Sequence, residues 1–175
     1  MGSEGILIIN TGNGKGKTTA AFGQALRAAG HGHKVAIIQF IKANDRTGEA
    51  KAIAAACADN IELHVKGSGF TWLEKDQQKV AETARRAWDF AKDRIESDSY
   101  DLIVLDELTY LIKYGFLSED ELLQTIAHRP GRLTIVITGR DASRKLMDSA
   151  DLVTEMKEIK HHYNEGKKAR RGIEF

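Results

Sequence analysis

The sequence predicts an α/β fold: a mainly parallel sheet of about six strands with helices on both faces. Three observations predict it. Short apolar runs alternate with longer amphipathic ones along the whole chain. Most of the short runs are continuous Val/Ile/Leu stretches, the mark of strands covered on both faces. The glycine-rich stretch Thr11–Thr19 lies between the first such run and the first helical segment. Strand, glycine-rich turn and helix in that order make the context of a phosphate-binding loop.

Taken in order, the apolar runs place strands at Gly5–Asn10, Lys34–Phe40, Ile61–Lys66, Leu102–Asp106, Leu133–Thr138 and Leu152–Met156. Helices are expected between them, at Lys17–Ala29, Gly48–Ala58, Lys75–Ser97, Ser118–His128 and Ala142–Ser149. The long helix aligns Val80, Ala84, Ala87, Trp88, Ala91 and Ile95 on one stripe, so Trp88 reads as core. In parallel sheets ligands bind at the carboxyl ends of strands. That rule collects Thr11–Thr19, Asn44–Gly48, Gly67–Trp72, Asp106–Thr109 and Gly139–Asp141 at one edge. Strand order does not follow from the sequence.

The chain has 175 residues, which suits one domain, 1–175, with a proper core. Its 26 Lys and Arg against 25 Asp and Glu give a net charge of +1, which argues against a nucleic-acid coat. The charge is uneven. The tail 157–175 carries six Lys/Arg and three Glu, so it is locally +3 and the remainder −2. Cys57 is the single cysteine and reads as a small core filler. No apolar run approaches the length of a membrane span, and Met1 to Gly5 does not read as a signal peptide. A reducing cytoplasm is the expected setting.

The loop has a local physical logic. Gly12, Gly14 and Gly16 allow backbone N–H groups to turn inward, where side chains would block a phosphate. A helix starting at Lys17 adds unpaired N–H groups and the positive end of its dipole. Lys17 supplies a mobile charge, and the Thr18 hydroxyl can reach magnesium. Thr11 stands where the usual G-x-x-x-x-G-K-[ST] pattern begins with glycine. The plain alternative is a turn that binds nothing.

Leu102-Ile103-Val104-Leu105-Asp106-Glu107 is four apolar residues followed by two acids, the shape of a Walker B strand whose carboxylate holds magnesium. With the glycine-rich loop upstream, the pair predicts a P-loop NTPase-like (RecA-like) domain. The alternative is that both acids cap the next helix. In Gly67-Ser68-Gly69-Phe70-Thr71-Trp72, two glycines precede two large aromatics. Phe70 and Trp72 read either as a plug anchoring the long helix or as a wedge aimed into a flat apolar ligand.

Several stretches together resemble one family. They are Thr11–Gly23 (T-G-N-G-K-G-K-T-T-A-A-F-G), Arg27–Gly32, Val35–Lys42 (V-x-x-x-Q-F-I-K), Gly69–Trp72 (G-F-T-W), Leu105–Tyr110 (L-D-E-L-T-Y) and Ile137–Arg140 (I-T-G-R). They are similar to the ATP:corrinoid adenosyltransferases of the P-loop type, over nearly the whole chain. The resemblance accounts for Thr11, because the family's loop likewise begins T-G-N-G.

The resemblance implies transfer of the 5′-deoxyadenosyl group of ATP to cobalt(I) of a corrinoid, with triphosphate as leaving group. It implies ATP contacts from Thr11, Gly12, Asn13, Gly14, Lys15, Gly16, Lys17, Thr18, Thr19 and Arg140. Lys17, Thr18 and Glu107 would carry the chemistry, with magnesium at Thr18, Glu107 and Asp106. Arg27, Phe70 and Trp72 fall on the corrinoid side; Arg27 also reads as an exposed helix arginine. Phe70 and Trp72 are the residues expected to displace the lower axial ligand of cobalt. An external electron donor such as a reduced flavoprotein, and a homodimer, are implied too. Many family members carry a polar N-terminal extension over the corrinoid. This sequence starts close to its first strand, which leaves open what covers the ring. The basic tail reads either as part of that cover or as a solvated terminus, and His31, His33, His161 and His162 as solvated. The competing activities are an NTP hydrolase or a small-molecule kinase, which share the loop and Asp106-Glu107 but release a nucleoside diphosphate. A nucleic-acid motor would want a basic face.

Overall fold

The computed structural model describes residues 4–42, 47–67, 69 and 77–173. Six strands form one sheet: β1 (Leu7–Thr11), β2 (Val35–Gln39), β3 (Ile61–Val65), β4 (Leu102–Asp106), β5 (Thr134–Thr138) and β6 (Leu152–Glu155). Their order is β3-β2-β4-β5-β1-β6, and every neighbouring pair is parallel. The helices are α1 (Lys17–Gly30), α2 (Gly48–Ala56), α3 (Gln77–Glu96), α4 (Thr109–Lys113), α5 (Glu119–Ala127) and α6 (Arg144–Asp148). This is the P-loop NTPase-like α/β architecture.

Side-chain alternation divides the core between two faces. Val35, Ile37, Leu102, Val104 and Val136 face α1 and α2, where Ala21, Phe22, Ala25 and Ile53 complete a cluster. Ala36, Ile38, Ile103, Leu105, Ile135 and Ile137 face the other way, toward Trp88, Leu122 and Leu146 of α3, α5 and α6. Two-sided burial explains why these strands read as unbroken apolar runs. β6 is the exception. It is an edge strand, exposed along its whole length, so its Leu152 and Val153 lie open.

Helix starts follow capping rules. Thr47, Ser118 and Ser143 each accept a backbone N–H three residues on, opening α2, α5 and α6. The α3 stripe is the expected one, with Trp88 fully enclosed and donating to Glu121 at 2.8 Å. α4 is an addition. Glu107 takes a left-handed turn at φ 65°, and the five residues Thr109–Lys113 coil behind it. Cys57 is half-buried against the α1/α2 cluster. Among the described residues no helix is long and apolar enough to cross a membrane.

Candidate active site

The carboxyl ends of β1, β2, β4 and β5 open into a cleft of about 860 Å³. Under its floor runs a row of polar residues, each the first to interrupt an apolar strand, of which Thr138 lines the cleft itself. Asn10 is in register with Thr138, and Gln39 with Asp106, so the spatial order is Gln39, Asp106, Thr138, Asn10. All four are buried. Buried polar groups need partners, and Gln39, Asp106 and Thr138 partner one another. Asp106 Oδ1 accepts the hydroxyls of Thr138 at 2.7 Å and Thr18 at 2.9 Å. Its Oδ2 accepts Gln39 Nε2 at 2.8 Å, and Lys42 Nζ stands 3.7 Å away. Thr138 Oγ1 also accepts the Glu107 N–H at 2.9 Å, which steadies that strained left-handed residue. The Asp106 carboxylate therefore caps no helix, and Leu108, the residue before α4, gives it no side-chain cap.

The glycine-rich loop forms one wall. Gly12 has φ 93° and Gly16 φ 120°, the left-handed region that favours glycine. The loop is pressed against the end of β6. Gly14 N–H donates to Met156 O at 2.7 Å, and a β-carbon on Gly12 would come within 2.5 Å of that same carbonyl. α1 begins at Gly16 with no side-chain cap and no acid in its first turn. Its N–H groups and dipole thus favour an anion at the cleft. Lys17 Nζ donates to the carbonyls of Gly12 and Gly14, both at 2.7 Å.

The electrostatics are tightly coupled. Burial, then the neighbouring Asp106, raises the Glu107 pKa; Lys42, Lys17 and Arg140, in that order, oppose the rise. Burial, then Arg140, lowers the Lys17 pKa below its ordinary 10.5, while Glu107 pulls it up. Two carboxylates thus sit within reach of three cations, an arrangement suited to a polyanion.

Of the residues singled out from sequence, Asn13 to Thr19, Glu107 and Arg140 line the cleft, and Asp106 lies buried beneath it, bonded to the lining Thr18 and Thr138. Thr11 is buried beneath the loop, its hydroxyl accepting the Ala142 N–H at 3.3 Å. Gly12 lies in the turn whose carbonyl Lys17 grips. Lys15 reaches toward the tail and donates to Ile173 O at 2.8 Å. Arg27 is not brought to the cleft. It is exposed in the last turn of α1, bonded to Gln24, about 15 Å along the helix from Lys17. Phe70 and Trp72 lie outside the described residues, but Gly69 just before them lines the cleft and donates its N–H to Ile41 O at 3.0 Å.

Sequence reasoning gave no role to Gln39, Lys42, Thr138 or Tyr110, although each falls in a quoted motif. His161, which reads as solvated from the sequence, is half-buried and lines the cleft with Glu158 and Ile173 of the tail. The tail is thereby part of the wall. Gly139, at the end of β5, needs its missing side chain. Its φ is 152°, and a β-carbon there would overlap the buried Thr109 hydroxyl. Gly139→Ala is expected to cost about 3 kcal/mol, or roughly 6–12 °C in Tm. Thermal unfolding checks this, and adding Thr109→Ala should restore part of the loss.

Comparisons with known proteins identify relatives of this chain. A family model described as ATP:corrinoid adenosyltransferase BtuR/CobO/CobP matches residues 3–175. A corrinoid adenosyltransferase of Escherichia coli (strain K12) is 42% identical over 171 residues, covering 98% of this chain and 86% of the relative. One from Pseudomonas aeruginosa is 42% identical over 171 residues, covering 98% and 84%. Corrinoid adenosyltransferase CobA of Salmonella typhimurium is 40% identical over 171 residues, covering 98% and 86%. With matches that span nearly the whole chain, the glycine-rich loop, the polar row and the tail included, this chain belongs to the ATP:corrinoid adenosyltransferase family.

Proposed function

We propose that this protein transfers the 5′-deoxyadenosyl group of ATP to cobalt(I) of a reduced corrinoid and releases triphosphate. The observation that carries the reading is one continuous cleft that runs from the uncapped start of α1 to Gly69. It has an anion-holding end at the loop and a second end where the G-F-T-W segment begins. A hydrolase needs only the first.

The electron pair of cobalt(I) forms the cobalt–carbon bond at ribose C5′. The bond from C5′ to the α-phosphate oxygen breaks, and its electrons leave with triphosphate. No general base is required. The chain's task is to hold C5′ in line and to stabilise the charge growing on the leaving group. Lys17, the α1 N–H groups and Arg140 suit the second task. Asn13, Lys15 and Thr19 line the same wall.

Magnesium fits the residues present. Thr18 Oγ1 and Asp106 Oδ1 are 2.9 Å apart with Glu107 adjacent, an all-oxygen set. Magnesium is commonly held by one or two carboxylates plus substrate phosphates rather than by a protein cage. Among the described residues no three His, Cys, Asp or Glu side chains cluster as a closed metal cage. When bound, it would neutralise phosphate charge.

Cobalt(I) must come from outside reduction, for which we assign a soluble donor such as a reduced flavoprotein, in the cytoplasm. We read 1–175 as one domain and the working unit as a homodimer. Phe70 and Trp72 are assigned to removing the lower axial ligand, which eases reduction of cobalt(II). Changing both to Ala is expected to slow conversion from cobalt(II) with a reductant by at least about tenfold, while transfer to chemically prepared cobalt(I) changes much less. Equal losses in the two assays would make them packing residues.

The deciding experiment combines the protein with ATP, magnesium and chemically reduced cobalamin. A light-sensitive adenosylated spectrum and inorganic triphosphate are expected. ADP without a cobalt–carbon bond would replace this reading with a hydrolase or kinase.

A further inference from the structure

Lys42 lies just beyond β2, at the end of the Q-F-I-K stretch, and lines the cleft opposite the glycine-rich loop. Its Nζ is 3.7 Å from Asp106 Oδ2; the lysine side chain is 32% exposed and its partner wholly buried. At that separation the pair attracts as charges without a proper hydrogen bond. Nor does Lys42 set the position of the carboxylate. Gln39 holds Oδ2 at 2.8 Å, and Thr18 and Thr138 hold Oδ1 at 2.9 and 2.7 Å. The backbone around Lys42 is fixed as well. Phe40 N–H donates to Asp106 O at 3.1 Å, and Ile41 O accepts the Gly69 N–H at 3.0 Å. A long, mobile cation therefore rests loosely on a rigid acid.

We propose that Lys42 is the resident counter-cation of Asp106, gives way to magnesium arriving with ATP, and then turns to the phosphate oxygens. The proposal rests on the ATP reading above. A buried carboxylate needs a positive partner, and in the protein alone Lys42 supplies it. A divalent ion on the same acid repels the ammonium, whose stem reaches into the cleft. Glu107, the other carboxylate that Lys42 faces, would share the same ion, so the negative charge left open to the ammonium is the nucleotide's own phosphate chain. One lysine would thus serve the free and loaded states in turn, and Asp106 would not have to move.

The test uses the intact protein and two titrations. Mn²⁺, followed by electron paramagnetic resonance of the free ion, reports the metal site without nucleotide. Lys42→Met is expected to bind Mn²⁺ about threefold to fivefold more tightly, because a competing cation is gone. At saturating magnesium the same variant is expected to bind ATP at least about tenfold more weakly, because a charge-assisted phosphate contact is lost. Lys42→Arg keeps the charge and should follow the parent in the Mn²⁺ titration. Unchanged binding in both titrations, or equal weakening in both, overturns the proposal and leaves Lys42 a fixed counter-ion. A parent protein that binds no ATP at all would instead overturn the ATP reading. If Lys42→Met fails to fold, Lys42→Gln carries the same expectations.

Discussion

Lys17→Ala is expected to lower kcat/KM for adenosyl transfer by about 10³-fold or more. Removing a single preorganised donor from a developing anion commonly costs about 10²–10³ in rate, and here a full charge goes with it. Lys17 also has a second job. Its ammonium ties the carbonyls of Gly12 and Gly14 at 2.7 Å each, so it shapes the turn that the phosphates must enter. The two jobs separate by variant. Lys17→Gln can still donate to one carbonyl but carries no charge, so it should recover loop order with little activity. Lys17→Arg keeps charge but presents a planar fork, which two convergent carbonyls fit poorly. Activity near the parent's in Lys17→Ala would remove the loop from the chemistry. A pH signature accompanies the assignment. Burial and Arg140 lower the Lys17 pKa from 10.5 in the free protein. The charged form is the one that receives phosphate, so kcat/KM, which reports the free enzyme, should fall on the alkaline side before pH 10.5. Bound triphosphate favours the ammonium, so kcat should hold to higher pH.

Why Lys17 was legible from sequence and Gln39 was not is a matter of distance along the chain. The loop, its lysine and Thr18 are neighbours in sequence, and their spacing alone states the geometry. β4 could be bounded at Leu102–Asp106 because an apolar run covered on both faces ends at a charge. Gln39 and Thr138 reach Asp106 across 67 and 32 residues, through pairings set only when strands line up. Strand order itself depends on how crossovers lie, which no local pattern encodes. α4 was missed for another reason. Five residues are too few for a helical period to show, and the turn that starts it is a left-handed glutamate. One sequence signal was available. In β1, β2, β4 and β5 the first polar residue after the apolar run marks the cleft floor, and a both-faces-buried strand ending on Asn, Gln, Asp or Thr can be read that way elsewhere.

Asp106→Asn should cost transfer at least about 10²-fold while leaving most of the fold intact. The argument turns on the partners. Thr18, Thr138, Gln39 and Lys42 all approach this side chain as donors. An amide has a donor at one end, so it must turn NH₂ toward two of them. Turned toward the hydroxyls, it meets groups that can rotate and accept, although Thr138 Oγ1 already accepts Glu107 N–H at 2.9 Å. Turned toward Gln39, it needs that amide to flip, and Lys42 has nothing to accept with. The first arrangement is cheaper, so the expected stability loss is about 1 kcal/mol, one net hydrogen bond. Function has no such escape. The hydroxyl of Thr18 would lose its anionic partner, the metal-facing oxygen set would lose its fixed charge, and Lys42 would lose the acid it rests on. The loss should therefore appear mainly as weakened metal-dependent ATP binding, with thermal unfolding shifted by only about 2–4 °C. Should Asp106→Asn bind ATP and magnesium like the parent and still transfer, the carboxylate would be a structural pin for β2, β4 and β5, and Glu107 alone would have to carry the metal.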